Sequence, residues 1–168
     1  MKLRLPRFVT RWILERICEH IERGPDQTIG PRDDPYMLRW ILFKRRGWLG
    51  NIYVHDFRHD DDDRALHDHP FPSLSFVLDG KMREIYSERG WDASDLNQQS
   101  ARMISAGDIV WRSANFSHRL ELLTPSATTL FIVGPKVREW GFWCPKGWKH
   151  WKEYCDPNDE GRIGPGCD

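Results

Sequence analysis

The region from residue 36 to residue 133 is a series of short β-type runs, and no other feature constrains the fold of this 168-residue chain as strongly. Each run is rich in β-branched, aromatic and aliphatic residues and is bounded by Gly, Asp or Pro, which favour turns. The predicted strands are residues 36–43, 51–57, 66–69, 73–78, 81–87, 102–105, 109–111, 118–123 and 128–133. Between them, Asp79 and Gly80 are predicted to form a tight hairpin turn, and residues 88–99 a surface loop. Because no helical pattern interrupts them, the sequence predicts an all-β barrel or sandwich in one domain.

A helical pattern precedes this region, at residues 6–22. Apolar residues recur there at three- and four-residue spacing, and the pattern ends at Gly24 and Pro25. Acidic residues balance the basic ones on the polar face, so we expect an amphipathic helix that docks against the domain rather than on a membrane. Residues 25–35, rich in Pro and Asp, are predicted to be a linker.

The overall charge excludes some classes of partner. The chain carries 25 basic and 25 acidic side chains, which argues against a dedicated nucleic-acid or membrane surface. No apolar run approaches the roughly 20 residues of a membrane span, and basic residues interrupt the N-terminal segment. The four cysteines form no CxxC pair, which favours reduced thiols. We therefore expect a cytoplasmic protein that binds a small molecule.

Three histidines, His67, His69 and His118, carry the strongest functional signal. Residues i and i+2 of a strand point to the same face, so His67 and His69 would present two imidazoles side by side. His118 lies in a later predicted strand, which a barrel could fold back beside the pair. Three neutral imidazoles leave coordination positions open, as in catalytic sites for zinc, iron, manganese or nickel.

The two segments around these histidines resemble the paired motifs of the cupin superfamily, small β-barrels that hold a metal inside. In LHDHPFPSLSFVLDG, the HxH pair and the last glycine match the first motif. In GDIVWRSANFSH, the Gly-Asp pair and the last histidine match the second. The resemblance covers roughly residues 50–135. It implies a cupin-type β-barrel (a double-stranded β-helix or jelly roll) with an N-terminal helix, and a metal bound by His67, His69 and His118.

The sequence departs from the motifs at three positions. Ser73 stands where the family has a glutamate ligand, and Ser113 and Asn115 replace the Pro and Gly of a turn. A neutral three-histidine set leaves the double charge of an ion uncompensated, which favours an anionic or chelating substrate on the metal. Thiol dioxygenases of the superfamily use such a three-histidine iron centre. The resemblance therefore favours Fe(II), with Zn, Mn and Ni as alternatives.

A glutamate and a tyrosine on the next strand are candidate catalytic residues. Met82, Glu84 and Tyr86 share one face of the predicted strand. If that face is interior, Glu84 is a fourth ligand, or a general base whose pKa burial raises. If it is exterior, Glu84 pairs with Arg83 or Arg102. Tyr86 would hydrogen-bond a reaction intermediate.

Arg112, Arg119 and Arg138 are candidate anchors for a substrate carboxylate or phosphate, because a guanidinium can bind either group through two hydrogen bonds. Solvent-facing positions are the alternative. The acidic run at residues 60–63 lacks the spacing of a calcium loop and is predicted to be a solvated loop at the barrel mouth. His55 and His59, which match neither motif, are assigned supporting or surface roles.

The predicted organisation has three parts. Residues 1–35 form the N-terminal helix and linker, residues 36–145 the cupin barrel, and residues 146–168 a Trp/Lys-rich extension ending in a mobile tail. The tryptophans of residues 140–151 would cover the open end of the barrel or form a homodimer surface; stacking on bases or sugars is the alternative.

The function predicted from these features is that of a metal-dependent cupin enzyme. A non-haem Fe(II) oxygenase acting on a small polar or anionic molecule is favoured, with substrate and dioxygen in the open positions. An isomerase, lyase or hydrolase that uses its metal as a Lewis acid is the second hypothesis. A non-catalytic barrel that binds a sugar or nucleotide is the third.

Overall fold

The structure is a computed structural model that describes residues 3–44, 50–61, 65–87, 99–155 and 164–168. Within these ranges there are two helices, α1 (Arg7–Glu22) and α2 (Trp151–Tyr154). The strands are β1 (Gln27–Ile29), β2 (Met37–Phe43), β3 (Ile52–Phe57), β4 (Leu66–His67), β5 (Ser73–Asp79), β6 (Lys81–Ser87), β7 (Ser100–Ser105), β8 (Ile109–Arg112), β9 (Ser117–Leu122), β10 (Ala127–Val133), β11 (Gly141–Cys144) and β12 (Gly147–His150).

The strands form two six-stranded antiparallel sheets. The first sheet has the order β1-β2-β3-β10-β5-β8, and the second has the order β12-β11-β4-β9-β6-β7. The eight strands from β3 to β10 pass from one sheet to the other at each connection, except for the β6-β7 hairpin. The first strand of this set lies beside the last, and the second beside the seventh, which is the order of a jelly roll. The predicted all-β jelly roll with an N-terminal helix is confirmed.

The turn at Gly80 differs in one respect from its prediction as a hairpin turn. It joins β5 and β6, but these strands belong to opposite sheets and pair with other strands. Gly80 has a φ of 81°, and a Cβ at this position would lie 2.4 Å from the carbonyl oxygen of Ser126. Only glycine fits this corner because it accepts the left-handed conformation and leaves room for the neighbouring backbone.

Two apolar clusters lie on opposite faces of the first sheet. Between the sheets, Met37, Phe57, Val77 and Ala127 of the first sheet meet apolar residues of the second sheet. On the outer face, α1 packs through Ile17 against residues 40, 54 and 78 of the sheet. The helix therefore docks on the domain as its pattern predicts, although its first turns leave two aromatic side chains, Phe8 and Trp12, exposed.

Segments outside the predicted barrel contribute to both sheets. The predicted linker contains β1, which pairs with β2. Beyond the predicted barrel, β12 forms a hairpin with β11, which in turn pairs with β4. Cys144 and Cys167 form a disulfide, so the prediction of reduced thiols is wrong for this pair. The bond attaches residues 164–168 to β11, whereas the sequence predicts a mobile tail.

The surface loop predicted at residues 88–99 lies outside the described residues, except for Gln99. Among the helices that are described, none is long and apolar enough to cross a membrane.

Replacing Gly80 by alanine tests the corner between the sheets. Gly80→Ala should lower the free energy of unfolding by about 2–5 kcal/mol, because the left-handed conformation and the displaced backbone both cost energy. Gly24→Ala is the matched control: its φ is 87°, but apart from its chain neighbours no atom of the described residues lies within 4 Å of the added Cβ. We expect a loss of only about 1–2 kcal/mol there. Chemical denaturation measures both, and equal losses would contradict the steric argument.

Candidate metal centre

Three histidines converge between the two sheets. His67 ends β4 and is the cross-strand neighbour of His118 on β9, while His69 follows two residues later. The ring centroids lie 4.8 Å apart for His67 and His118, and 5.1 Å apart for each pair that includes His69. One nitrogen of each ring lies within 4.8 Å of the other two. The structure thus brings together all three residues that the sequence predicts as ligands.

Two of the three donors already have the spacing that one divalent ion requires. Nε2 of His69 lies 2.9 Å from Nε2 of His118. Two nitrogens that each bind one ion at about 2.1 Å and at a right angle lie about 3.0 Å apart, so this spacing suits adjacent coordination positions. Without an ion, one of the two nitrogens must donate a hydrogen to the other. Three imidazoles alone leave open positions for further ligands.

Burial keeps two of these imidazoles neutral. It lowers the pKa of His69 well below the ordinary value, and Coulombic repulsion from His67, His118 and Arg112 adds to the effect. Burial and the positive charge of Arg112 lower the pKa of His118 to about 3, even though Glu84 acts in the opposite direction. Metal ligation requires a neutral imidazole, so these residues are ready to bind an ion at neutral pH without losing a proton.

Glu84 points into the interior and is fully buried. Its Oε1 lies 2.8 Å from Nδ1 of His118 and 2.6 Å from Nε of Arg112, and its Oε2 lies 2.5 Å from Nε of Arg102. The carboxylate thus faces the back of one candidate ligand ring, opposite the nitrogen that approaches His69. Carboxylates in this position fix the tautomer and orientation of metal-binding histidines.

The predicted rise in the pKa of Glu84 is wrong. Burial alone would raise it, but Arg112, His118 and Arg102 outweigh burial and hold the pKa well below its usual range. Sequence reasoning accounted for burial but had no means of placing two arginines on the same carboxylate. Glu84 remains ionised at neutral pH and is a poor general base. It also stands outside the set of ligand atoms, where the sequence had offered it as a fourth ligand.

Asp61 is a residue of the site that sequence reasoning missed. It is buried, and its Oδ2 accepts a hydrogen bond from the backbone N–H of Leu120 at 2.6 Å. The same oxygen lies 3.8 Å from Nδ1 of His67, and Tyr36 donates its hydroxyl hydrogen to the other oxygen. The acidic run is therefore not simply a solvated loop, because one of its carboxylates sits beside a candidate ligand. Residues 62 and 63 lie outside the described part of the chain.

Opposite the cluster, β2 and β3 contribute a polar wall. His55 and Arg39 are cross-strand neighbours, and Nε–H of Arg39 donates to Nε2 of His55 at 3.0 Å. The His55 ring lies 4.9 Å from that of Phe131, which in turn lies 6.4 Å from that of His69. His55 is buried, and burial lowers its pKa well below the ordinary value. The role predicted for it from the sequence is a supporting or a surface one.

Tyr86, the second predicted catalytic residue, lies beside the cluster. It is the cross-strand neighbour of His118, and its ring stacks on Phe116 at 5.3 Å. The Phe116 ring lies 5.8 Å from that of His118, and the guanidinium of Arg102 lies 5.0 Å from the Tyr86 ring. Tyr86 therefore belongs to the aromatic lining around the three histidines.

The three predicted substrate anchors each contact a carboxylate of the protein. Arg112 is buried against Glu84, and Arg119 lies 2.7 Å from Glu121. Arg138 lies 2.9 Å from buried Asp68. Only Arg112 lies close enough to affect the pKa of His69. A substrate would therefore have to compete with an internal anion at each of these guanidinium groups.

Comparison with known proteins finds likeness in structure alone. No protein-family model and no curated protein matches the chain. Among solved structures, an oxalate decarboxylase of Bacillus subtilis with Mn(II) centres is 15% identical, with a TM-score of 0.48 over 73% of this chain and 30% of that chain. The Fe(II) form of HppE is 18% identical, with a TM-score of 0.49 over 66% of this chain and 57% of that chain.

A third similar structure is hydroxypropylphosphonic acid epoxidase from S. wedmorenis in complex with fosfomycin. It is 18% identical, with a TM-score of 0.46 over 66% of this chain and 62% of that chain. The chain spans about a third of the decarboxylase. Likeness at this level carries no information about activity. The strand order of this chain itself shows the predicted jelly roll, and its three histidines form a cluster that could hold a metal ion.

The neutral histidines of the interior predict acid destabilisation of the metal-free protein. His55, His69 and His118 have pKa values below the ordinary 6.5 when folded. The unfolded chain therefore binds more protons as the pH falls below about 6.5, and the free energy of unfolding decreases. His55→Gln, which keeps a hydrogen-bond acceptor for Arg39, should reduce this dependence by about 1.4 kcal/mol per pH unit. Chemical denaturation at several pH values from 5 upwards measures the free energy of unfolding of both proteins. If its slope against pH is the same in His55→Gln as in the wild type, the prediction is wrong.

Removing the charge of Glu84 tests its role behind His118. Glu84→Gln should weaken metal binding about 10- to 100-fold and lower the free energy of unfolding by about 3–5 kcal/mol, because Arg112 loses its buried partner. Glu121→Gln is the control, since Glu121 pairs with Arg83 and Arg119 and points away from the cluster. We expect a change of about 1 kcal/mol or less there. Metal titration decides: unchanged affinity in Glu84→Gln would show that the carboxylate does not position the ring.

Proposed function

We propose that the protein is a metal-dependent enzyme that binds Fe(II) through His67, His69 and His118 and acts as an oxygenase on a small polar or anionic molecule. The convergence of three imidazoles between the sheets carries this proposal, and burial keeps two of them, His69 and His118, neutral by lowering their pKa. A bound Fe(II) ion would supply redox chemistry and open positions for substrate and dioxygen. Because the ligand set is neutral, the charge of the ion would favour an anionic substrate.

The side chains around the cluster support chemistry in a sheltered site. The rings of Phe71, Phe116 and Phe131 each lie within 6.4 Å of a candidate ligand ring. An apolar lining excludes water and limits side reactions of reactive species.

We assign Glu84 the role of a positioning residue for His118, because it stays ionised and contacts the far side of that ring. Tyr86 remains a candidate for contact with the substrate.

Substitution of one ligand tests the metal assignment. His69→Ala is the cleanest change, because the contacts described for His69 are to other rings and not to a carboxylate. After loading with Fe(II) without oxygen and dialysis, the wild type should retain about one ion per chain and the variant little. His59→Ala is the control, since His59 is half exposed and pairs with Asp34. Elemental analysis gives the result, and full iron content in His69→Ala would refute the centre.

Open positions on the metal are tested separately. Nitric oxide added to the Fe(II)-loaded wild type should give a high-spin iron–nitrosyl EPR signal, because at least one position is not filled by protein. The signal should be absent in His69→Ala.

An oxygen electrode separates an oxygenase from a Lewis-acid enzyme. Active protein that consumes no oxygen would contradict the oxygenase proposal and favour an isomerase, lyase or hydrolase.

A further inference from the structure

Among the residues that the structure describes, the layer of side chains around the candidate metal centre carries more positive than negative charge. Three arginines, Arg39, Arg102 and Arg112, contribute side chains to this layer, against the two carboxylates of Glu84 and Asp61. Glu84 is shared by Arg102 and Arg112, and Nη2 of Arg102 is buried with no hydrogen-bond partner among the described residues. A divalent ion would add two further positive charges. The excess calls for an anion that the described chain does not supply.

Arg39 is the arginine of this layer whose positive charge is not balanced by a described carboxylate. Its Nε–H donates to His55, its Nη1 donates to Oε1 of Gln27 at 3.2 Å, and its guanidinium lies 5.3 Å from the ring of Tyr53. All three partners are uncharged, His55 because burial lowers its pKa. Each of Arg102, Arg112, Arg119 and Arg138 has a carboxylate within 3 Å, whereas no described carboxylate contacts Arg39.

The position of Arg39 directs it to the same interior as the metal site. Side chains alternate along β2, so Arg39 shares a face with Met37, which lies in the core between the sheets. Trp40 lies on the opposite face, against α1. His55, the partner of Arg39, is separated from His69 by the single ring of Phe131. Arg39 therefore lies across the interior from the three histidines.

A half-buried guanidinium with neutral partners is unfavourable unless a ligand compensates it. Burial penalises the charge of Arg39, and arginine keeps its proton in proteins, so the charge persists. Oxyanions with two equivalent oxygens, such as a carboxylate or a phosphate, match the fork of a guanidinium. Gln27 and His55 occupy Nη1 and Nε, and they hold the group in one orientation.

We propose that Arg39 binds an oxyanionic group of the substrate, a carboxylate or a phosphate, at the wall opposite the metal. This inference rests on the proposed function, since it assigns the substrate of the same site. It places the recognition of the anion on β2 rather than on the three arginines predicted from the sequence. One end of the substrate contacts Arg39, and its reactive end faces the three histidines.

Calorimetric titration tests this proposal with the full chain, metal-free and Fe(II)-loaded without oxygen. Malonate probes carboxylate binding, inorganic phosphate probes phosphate binding, and malonamide is the uncharged comparison. At least one anion should bind the wild type, and malonamide should not. Arg39→Gln should weaken that binding about 10- to 100-fold, because hydrogen bonds to a charged donor are lost. Arg83→Gln is the control, since Arg83 is half exposed and pairs with Glu121.

Two further measurements keep the outcomes distinct. Circular dichroism and metal content establish that Arg39→Gln is folded and loaded; if it does not fold, Arg39→Lys takes its place and should bind the anion more weakly than the wild type, because lysine lacks the fork. Equal affinity in the wild type and the Arg39 variant, or no binding of either anion to the wild type, overturns this inference. Failure of the wild type to retain metal overturns the proposed function instead, and the metal-free titration still decides the role of Arg39.

Discussion

The buried carboxylate of Glu84 is the interaction on which the interior depends. It connects the two sheets, because Arg112 belongs to β8 of the first sheet, whereas Glu84, Arg102 and His118 lie on β6, β7 and β9 of the second. An ionised group in this position is stable only because cations and a ring N–H surround it. The same contacts that satisfy Glu84 orient His118, so the closure of the barrel and the geometry of the candidate centre have a common cause.

The alternation of side chains along the strands divides the interior into layers. On β3, β5 and β6 the inward positions next to Phe57, Val77 and Met82 of the apolar core are His55, Ser75 and Glu84. A polar layer thus lies directly on an apolar one, and the polar groups satisfy one another: Ser75 accepts a hydrogen bond from Arg112 at 2.8 Å. The apolar layer stabilises the fold, and the polar layer is available for chemistry.

Much of this arrangement follows from local sequence pattern. The two-residue period of strands places His67 and His69 on one face, and the paired motifs bring in His118. The charge state of Glu84 could not be read in the same way, because it depends on Arg112, which arrives from the opposite sheet. Asp61 was missed because the backbone N–H that binds its carboxylate belongs to β9, which is distant in sequence. Arg39 left a weaker signal: a single charge in the strand MLRWILF, whose other side chains are apolar.

The disulfide between Cys144 and Cys167 has a practical consequence for the cluster. Cys144 ends β11, the strand that pairs with His67 through Phe142. Lys149 reinforces the attachment through a hydrogen bond to the carbonyl oxygen of Gly166 at 2.6 Å. A reductant added during purification would release the segment that supports this strand. The concentration of reductant in the buffer therefore affects how firmly the His67 imidazole is held.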